Sequence, residues 1–213
     1  MPYFKNNSMN ILFIHIPKTG GFSIDLYFSN KYNILLNNDS LFDFISENEK
    51  LKHNISINSS LQHITYQTMI KYKEYFKIDF NNIKIMTIVR NPYERIISDL
   101  FYLLKINIDT SKSEVFIIIT KYLSEHLDNH NIPQSSFVIN HNNELIPNII
   151  ILHTETLTTD MINLGYTDFD FHDNKNKLKI NYYDYLNNES INLINNFYNY
   201  DFILFNYTKI NSF

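Results

Sequence analysis

Two short segments gather residues that the rest of the chain nearly lacks. Only three glycines occur in 213 residues, and Gly20 and Gly21 are adjacent. The only two arginines, Arg90 and Arg95, lie in one stretch, and each segment also holds one of the five prolines, Pro17 and Pro92. The first segment, Asn10-Ile-Leu-Phe-Ile-His-Ile-Pro-Lys-Thr-Gly-Gly-Phe-Ser23, joins an apolar run to a glycine pair and a lysine. Glycines permit positive φ and close backbone approach, so such a loop directs N–H groups at one point, where Lys18 adds a full charge. The matching guest is a phosphate-like anion. In the second, Ile83-Lys-Ile-Met-Thr-Ile-Val-Arg-Asn-Pro-Tyr-Glu-Arg-Ile-Ile-Ser98, a guanidinium (Arg90) and a hydroxyl (Ser98) flank a helix start and form a second anion site. Arg95 is expected to pair with Asp99 at helical spacing instead of touching ligand. The glycine spacing of a Walker loop is missing before Lys18, which counts against an ATPase or kinase.

Positioning these groups requires two strand-loop-helix units. Ile11 to Ile16 and Ile83 to Val89 are apolar runs of the kind buried on both faces of a parallel sheet. Ser23 to Phe28 carries Ile24, Tyr27 and Phe28 at spacing compatible with a helix. Asn91 as N-cap, Pro92 at the first helical position and Glu94 at the third begin another, continued by Ile96, Ile97, Leu100, Phe101 and Leu104. Arg90 ends its strand and Ser98 lies about two turns into the helix on roughly the cap's face, so both can address one ligand. Two anion sites at the carboxyl ends of two parallel strands match a ligand with two phosphate-bearing ends.

Composition bounds the alternatives. The length is that of one domain, residues 1–213, and 44% hydrophobic against 19% charged residues, with 17 Phe and 16 Tyr, describes a globular core rather than disorder. A net charge of −4 and a pI near 6.0 argue against a protein that coats nucleic acid or anionic membrane. Cysteine is absent, which removes disulfides, thiolate nucleophiles and Cys-based metal sites. No stretch reads as a signal peptide or membrane span, so the chain as given reads as soluble and cytoplasmic. Asn and Ile make up about 30% of the residues, a bias attributed to AT-rich coding such as that of some viral or protist genomes. The residues 31–58 and 105–147 are polar or mixed and are expected to house ligand-facing loops, and Leu193, Ile194 and Phe197 mark a helix within the Asn- and Tyr-rich 174–200 region.

At these residues the chain resembles a family. His15-Ile-Pro-Lys-Thr-Gly-Gly-Phe-Ser23 is similar to the 5′-phosphosulfate-binding loop of the carbohydrate sulfotransferases, and Arg90-Asn-Pro-Tyr-Glu-Arg-Ile-Ile-Ser98 to their 3′-phosphate-binding segment. The resemblance runs on, chiefly to the heparan sulfate 2-O-sulfotransferase-like branch and its small soluble relatives. Leu61-Gln-His-Ile-Thr-Tyr66 is similar to the segment supplying that family's catalytic histidine, Pro133-Gln-Ser-Ser-Phe137, the strand from Asn148 to Leu152 and Glu155-Thr-Leu157 to its middle region, and Tyr198 to Tyr207 to its closing helix. Phe22 stands where Ser or Thr is commoner, and Leu61 where the heparan enzymes carry a second histidine.

The resemblance implies a three-layer α/β, P-loop-like fold with a central, mostly parallel sheet. It implies transfer of a sulfuryl group from 3′-phosphoadenosine 5′-phosphosulfate to an acceptor hydroxyl of a carbohydrate, releasing adenosine 3′,5′-bisphosphate. Lys18 would stabilise the charge growing on the leaving phosphate, and the loop of Thr19, Gly20, Gly21, Phe22 and Ser23 would hold the 5′-phosphate, using the Thr19 and Ser23 hydroxyls. Arg90 and Ser98 would hold the 3′-phosphate, Gln134 and Ser135 would approach the adenosine, and His63 would be the base. The alternative is an inactive member of that fold that binds nucleotide or glycan. Spacing alone does not single out His63 among eight histidines. His15 reads as a packing or orienting residue. His53, His126, His130, His141, His153 and His172 show no metal-ligand spacing, His126 and His130 lacking an acidic partner, so no metal is expected.

Overall fold

A computed structural model describes residues 1–170 and 180–211. His172 and the start of the 174–200 region lie outside the described residues. The elements in chain order are β1 (Tyr3–Asn6), β2 (Met9–Ile14), α1 (Gly21–Tyr32), α2 (Glu47–His53), a 3-10 turn (Leu61–His63), α3 (Tyr66–Lys71), α4 (Lys73–Phe76), β3 (Lys84–Val89) and α5 (Pro92–Tyr102). They continue with α6 (Lys112–Tyr122), α7 (Ser135–Val138), β4 (Ile150–His153), α8 (Leu157–Asn163), α9 (Asn188–Phe197) and α10 (Asn199–Leu204).

The strands form one open sheet in the order β1-β2-β3-β4. β1 runs antiparallel to β2, while β2, β3 and β4 are mutually parallel, with Ile14 opposite Thr87 and Thr87 opposite Ile151. The chain is therefore an α/β protein with a mostly parallel sheet. Its apolar runs lack polar alternation because both faces are covered. Ile11, Phe13, Met86, Ile88 and Leu152 pack with Ile24 and Phe28 of α1 and Leu157 and Met161 of α8. Leu12, Ile14, Ile85 and Val89 face the other way, onto Met69, Phe76, Phe137 and Val138.

The helix α5 begins as its sequence dictates, with the Asn91 side chain accepting from the Tyr93 N–H and Pro92 in the first turn. Its Ile96, Ile97 and Leu100 enter a separate apolar cluster with Val115 and Ile119 of α6, Ile191 and Ile194 of α9 and Phe202 of α10. Much of the 105–147 region is thus structural, because α6 supplies one wall of this cluster. The first long strand ends at Ile14, two residues before the apolar run does, since Pro17 and the turn behind it take over the backbone. Among the described residues no helix is long and apolar enough to cross a membrane.

Thr154 ties the carboxyl ends of the parallel strands together. Its hydroxyl reaches the Thr19 carbonyl at 2.6 Å and the Val89 carbonyl at 3.1 Å, so the segments leaving β2, β3 and β4 are held side by side.

Candidate active site

The segments leaving β2 and β3 border one cleft of about 760 Å³. Lys18, Gly20, Gly21, Phe22, Ser23, Arg90 and Ser98 all line it, and so does His63 from the 3-10 turn. Parallel strands bring this about, because neighbouring strands pointing the same way deliver their carboxyl-end segments to the same edge.

The first segment turns on two left-handed residues, Lys18 at φ 66° and Gly20 at φ 88°. Gly20 caps α1 without a side-chain hydrogen bond, and no acidic residue occupies the first turn, which leaves the helix's positive end unopposed. Gly21 serves a different need. A Cβ on it would lie 2.7 Å from His15 Nε2, so its missing side chain is the space the imidazole fills. The Lys18 ammonium sits 4.0 Å above the Tyr102 ring centroid. Thr19 corrects the sequence reading: it is fully buried, its hydroxyl donates to the Ile16 carbonyl at 2.8 Å, and it does not line the cleft. Its side chain braces the turn rather than facing a ligand.

Arg90 is loosely held for a residue so enclosed. Its guanidinium reaches the Lys18 carbonyl at 3.4 Å and Glu94 at 3.3 Å, and its buried Nε has no hydrogen-bond partner. The guanidinium also lies 5.1 Å from the Tyr182 ring centroid, and its Nε is enclosed rather than open to the cleft. Its backbone is held firmly, with Gln134 accepting from the Arg90 N–H and donating to the Arg90 carbonyl, both at 2.9 Å. That corrects the expectation for Gln134 and Ser135. Gln134 braces Arg90, while Ser135 donates to the buried Asp201 carboxylate, and neither lines the cleft. Arg95 is structural as expected, but by another route. It donates to the carbonyls of Pro17, Ile132 and His130 at 3.0, 3.0 and 2.6 Å, and Asp99 is taken by His130 and the Tyr122 hydroxyl.

His63 is buried beside His15 at the same cleft, its Nδ1 2.7 Å from Asp128 Oδ2. Burial, with the neighbouring His15 and His130, pushes its pKa down to about 4 against the pull of Asp128. Burial opposes ionisation of Asp128 too, but His63 and the Ser60 N–H and hydroxyl outweigh it and hold the carboxyl below its usual range. At neutral pH the pair is a neutral imidazole donating from Nδ1 to a carboxylate, which leaves the Nε2 lone pair free to accept a proton.

Two further histidines stand beside it, each anchored on a buried carboxylate. His15 meets Asp25 at 2.6 Å, and His130 meets Asp99 at 2.8 Å. Their rings lie 5.3 and 5.0 Å from that of His63. His15 is thus buried, held by a carboxylate and part of the cleft lining, whereas His130 does have an acidic partner, Asp99. Sequence inspection missed these pairs because the partners of His63 and His130 are 65 and 31 residues away, and no local spacing announces them. One donor atom from each of His63, Asp128 and His130 lies within 4.8 Å of the other two, a set that could hold a metal ion and that linear spacing hides. The Asp128 oxygens are already occupied by Ser60 and His63, so the observed arrangement is a hydrogen-bonded dyad.

Compared with family models, curated proteins and solved structures, the chain matches none. What the geometry itself provides is one cleft that Lys18, Arg90 and a neutral His63 held by Asp128 share.

Proposed function

We propose that the chain is a sulfotransferase with a three-layer, P-loop-like α/β fold. It moves a sulfuryl group from 3′-phosphoadenosine 5′-phosphosulfate to an acceptor hydroxyl, with a carbohydrate as the expected acceptor. The observation that carries this reading is that Lys18, the Gly20–Ser23 stretch, Arg90, Ser98 and His63 all line one cleft, with Asp128 hydrogen-bonded to His63.

In the transfer the acceptor oxygen bonds to sulfur as the bond from sulfur to the 5′-phosphate oxygen breaks, and adenosine 3′,5′-bisphosphate leaves. His63 takes the acceptor proton at Nε2, a contribution of typically ~100- to 10,000-fold in rate. A base with a pKa of about 4 is unprotonated across the neutral range, so it is always ready, at the expense of proton affinity. Lys18 and the N–H groups at the start of α1 stabilise negative charge on the leaving phosphate. Arg90 and Ser98 bind the 3′-phosphate and so select this nucleotide over an ordinary adenylate. Positioning and charge stabilisation dominate such in-line transfers, and the residues present fit that demand.

Calorimetric titration with adenosine 3′,5′-bisphosphate, beside 5′-AMP and ATP and without added metal, tests the reading. Selective binding of the bisphosphate, retained in His63→Ala while transfer to a hydroxyl is lost, is the expected result. No binding, or a preference for ATP that requires magnesium, would overturn it.

A further inference from the structure

Three consecutive residues far from His63 in sequence take hold of it from three directions. The Asp128 carboxylate accepts from its ring at 2.7 Å, the Asn129 side-chain amide donates to its carbonyl at 2.9 Å, and the His130 ring meets its ring edge-on at an interplanar angle of 87°. Asp128 and Asn129 are both left-handed, at φ 49° and 63°. That region is costly for a side-chain-bearing residue, and Asn and Asp tolerate it best. Two such residues in succession turn the chain sharply enough to aim neighbouring side chains at one target. The turn is itself fastened. Ser60, three residues before His63, donates to Asp128 from both its N–H and its hydroxyl, and Arg95 and Asp99 hold the His130 carbonyl and ring. The Asp128 and Asn129 side chains thus serve no bond within their own turn and reach Ser60 and His63 instead.

We infer that the 128–130 turn is the positioning device for His63, with Asp128 holding the ring in the Nδ1–H tautomer so that the Nε2 lone pair is free to act. This rests on the acid–base role proposed for His63. Asp128→Asn is the informative substitution. The amide oxygen can still accept from the Ser60 N–H, and the amide N–H then faces Nδ1 as a donor. That forces the proton to Nε2, where the ring can no longer act as a base.

The test reads the His63 tautomer by nitrogen NMR of protein labelled in histidine, its signals assigned by their loss in His63→Gln. Wild type should show Nδ1 protonated and Nε2 bare, and Asp128→Asn the reverse. In the variant kcat should fall ~100- to 10,000-fold, with KM and affinity for adenosine 3′,5′-bisphosphate changed less than about twofold. A residue that merely braced the fold would lower bisphosphate affinity along with kcat. An Nε2–H tautomer in wild type, which does not depend on Asp128→Asn folding, would overturn the inference, as would a variant that turns over normally. Failure of wild type to bind the bisphosphate would overturn the reading of the cleft instead, a result separate from the tautomer spectrum.

Discussion

The two adjacent glycines should respond differently to the same substitution, and Gly21→Ala is the sharper case. A new Cβ would fall 2.7 Å from both His15 Cδ2 and Nε2 and 2.9 Å from Cε1, inside any real carbon contact. Relief requires the imidazole to move, but the ring is 4% exposed, held by Asp25 at 2.6 Å and flanked by Phe13 and His63. Overpacking of that kind costs typically ~1–3 kcal/mol, and the gain of alanine over glycine in a helix interior does not offset it, because Gly21 is the first residue of α1. At about 2–4 °C per kcal/mol for a chain of this size the melting temperature should drop by about 2–12 °C. Because the His15 ring lies 5.3 Å from that of His63, turnover should fall as well. Gly20→Ala acts through backbone strain at φ 88° instead, and Gly20→Asn should recover part of its loss. Thermal unfolding followed by circular dichroism decides the matter. A Gly21→Ala protein as stable as wild type would refute the argument that this glycine makes room for an imidazole.

Two other outcomes follow from the site. Arg90→Ala removes the guanidinium whose Nε lacks a partner, and loss of a charge-assisted contact should weaken bisphosphate binding about 10- to 100-fold while leaving 5′-AMP binding unchanged; equal loss for both nucleotides would move the 3′-phosphate site elsewhere. Folding stability should also carry the signature of His63. Burial depresses its folded pKa to about 4, with Asp128 pulling upward and His15 and His130 pushing down, while the unfolded chain titrates near 6.5. Between those values the unfolded state binds more protons, so stability is lost as pH falls from about 6.5 to 4, by up to about 3 kcal/mol. Urea unfolding of wild type and His63→Gln at pH 7 and 4.5 should show a smaller acid loss in the variant, and identical losses would contradict the assignment.

How far the site was legible depended on how local its causes are. Asn91 and Pro92 start α5 by their own chemistry, and an apolar run such as Ile83 to Val89 becomes β3 because little else can bury it. Lys18 and Arg90 were readable because a glycine pair and an N-cap mark where chain direction changes, and the parallel register then brings both to one cleft. At Thr19 it is the hydroxyl that turned out differently, because a hydroxyl in a tight turn serves a nearby carbonyl as readily as a ligand, and nothing in the residue's type tells which. Arg95 looked like the helical partner of Asp99, yet the backbone carbonyls of distant segments compete for it and win.

Local sequence therefore determined β2, β3, the start of α5 and the two cationic segments, since propensity, capping and apolar patterning act within a few residues, whereas β1 carries no such signal. Tertiary structure alone decided the electrostatics of the base. The pKa of His63 and the partner of its Nδ1 depend on burial and on Asp128, which reaches it across 65 residues of chain through a left-handed turn, and such a meeting exists only once the core has closed around both.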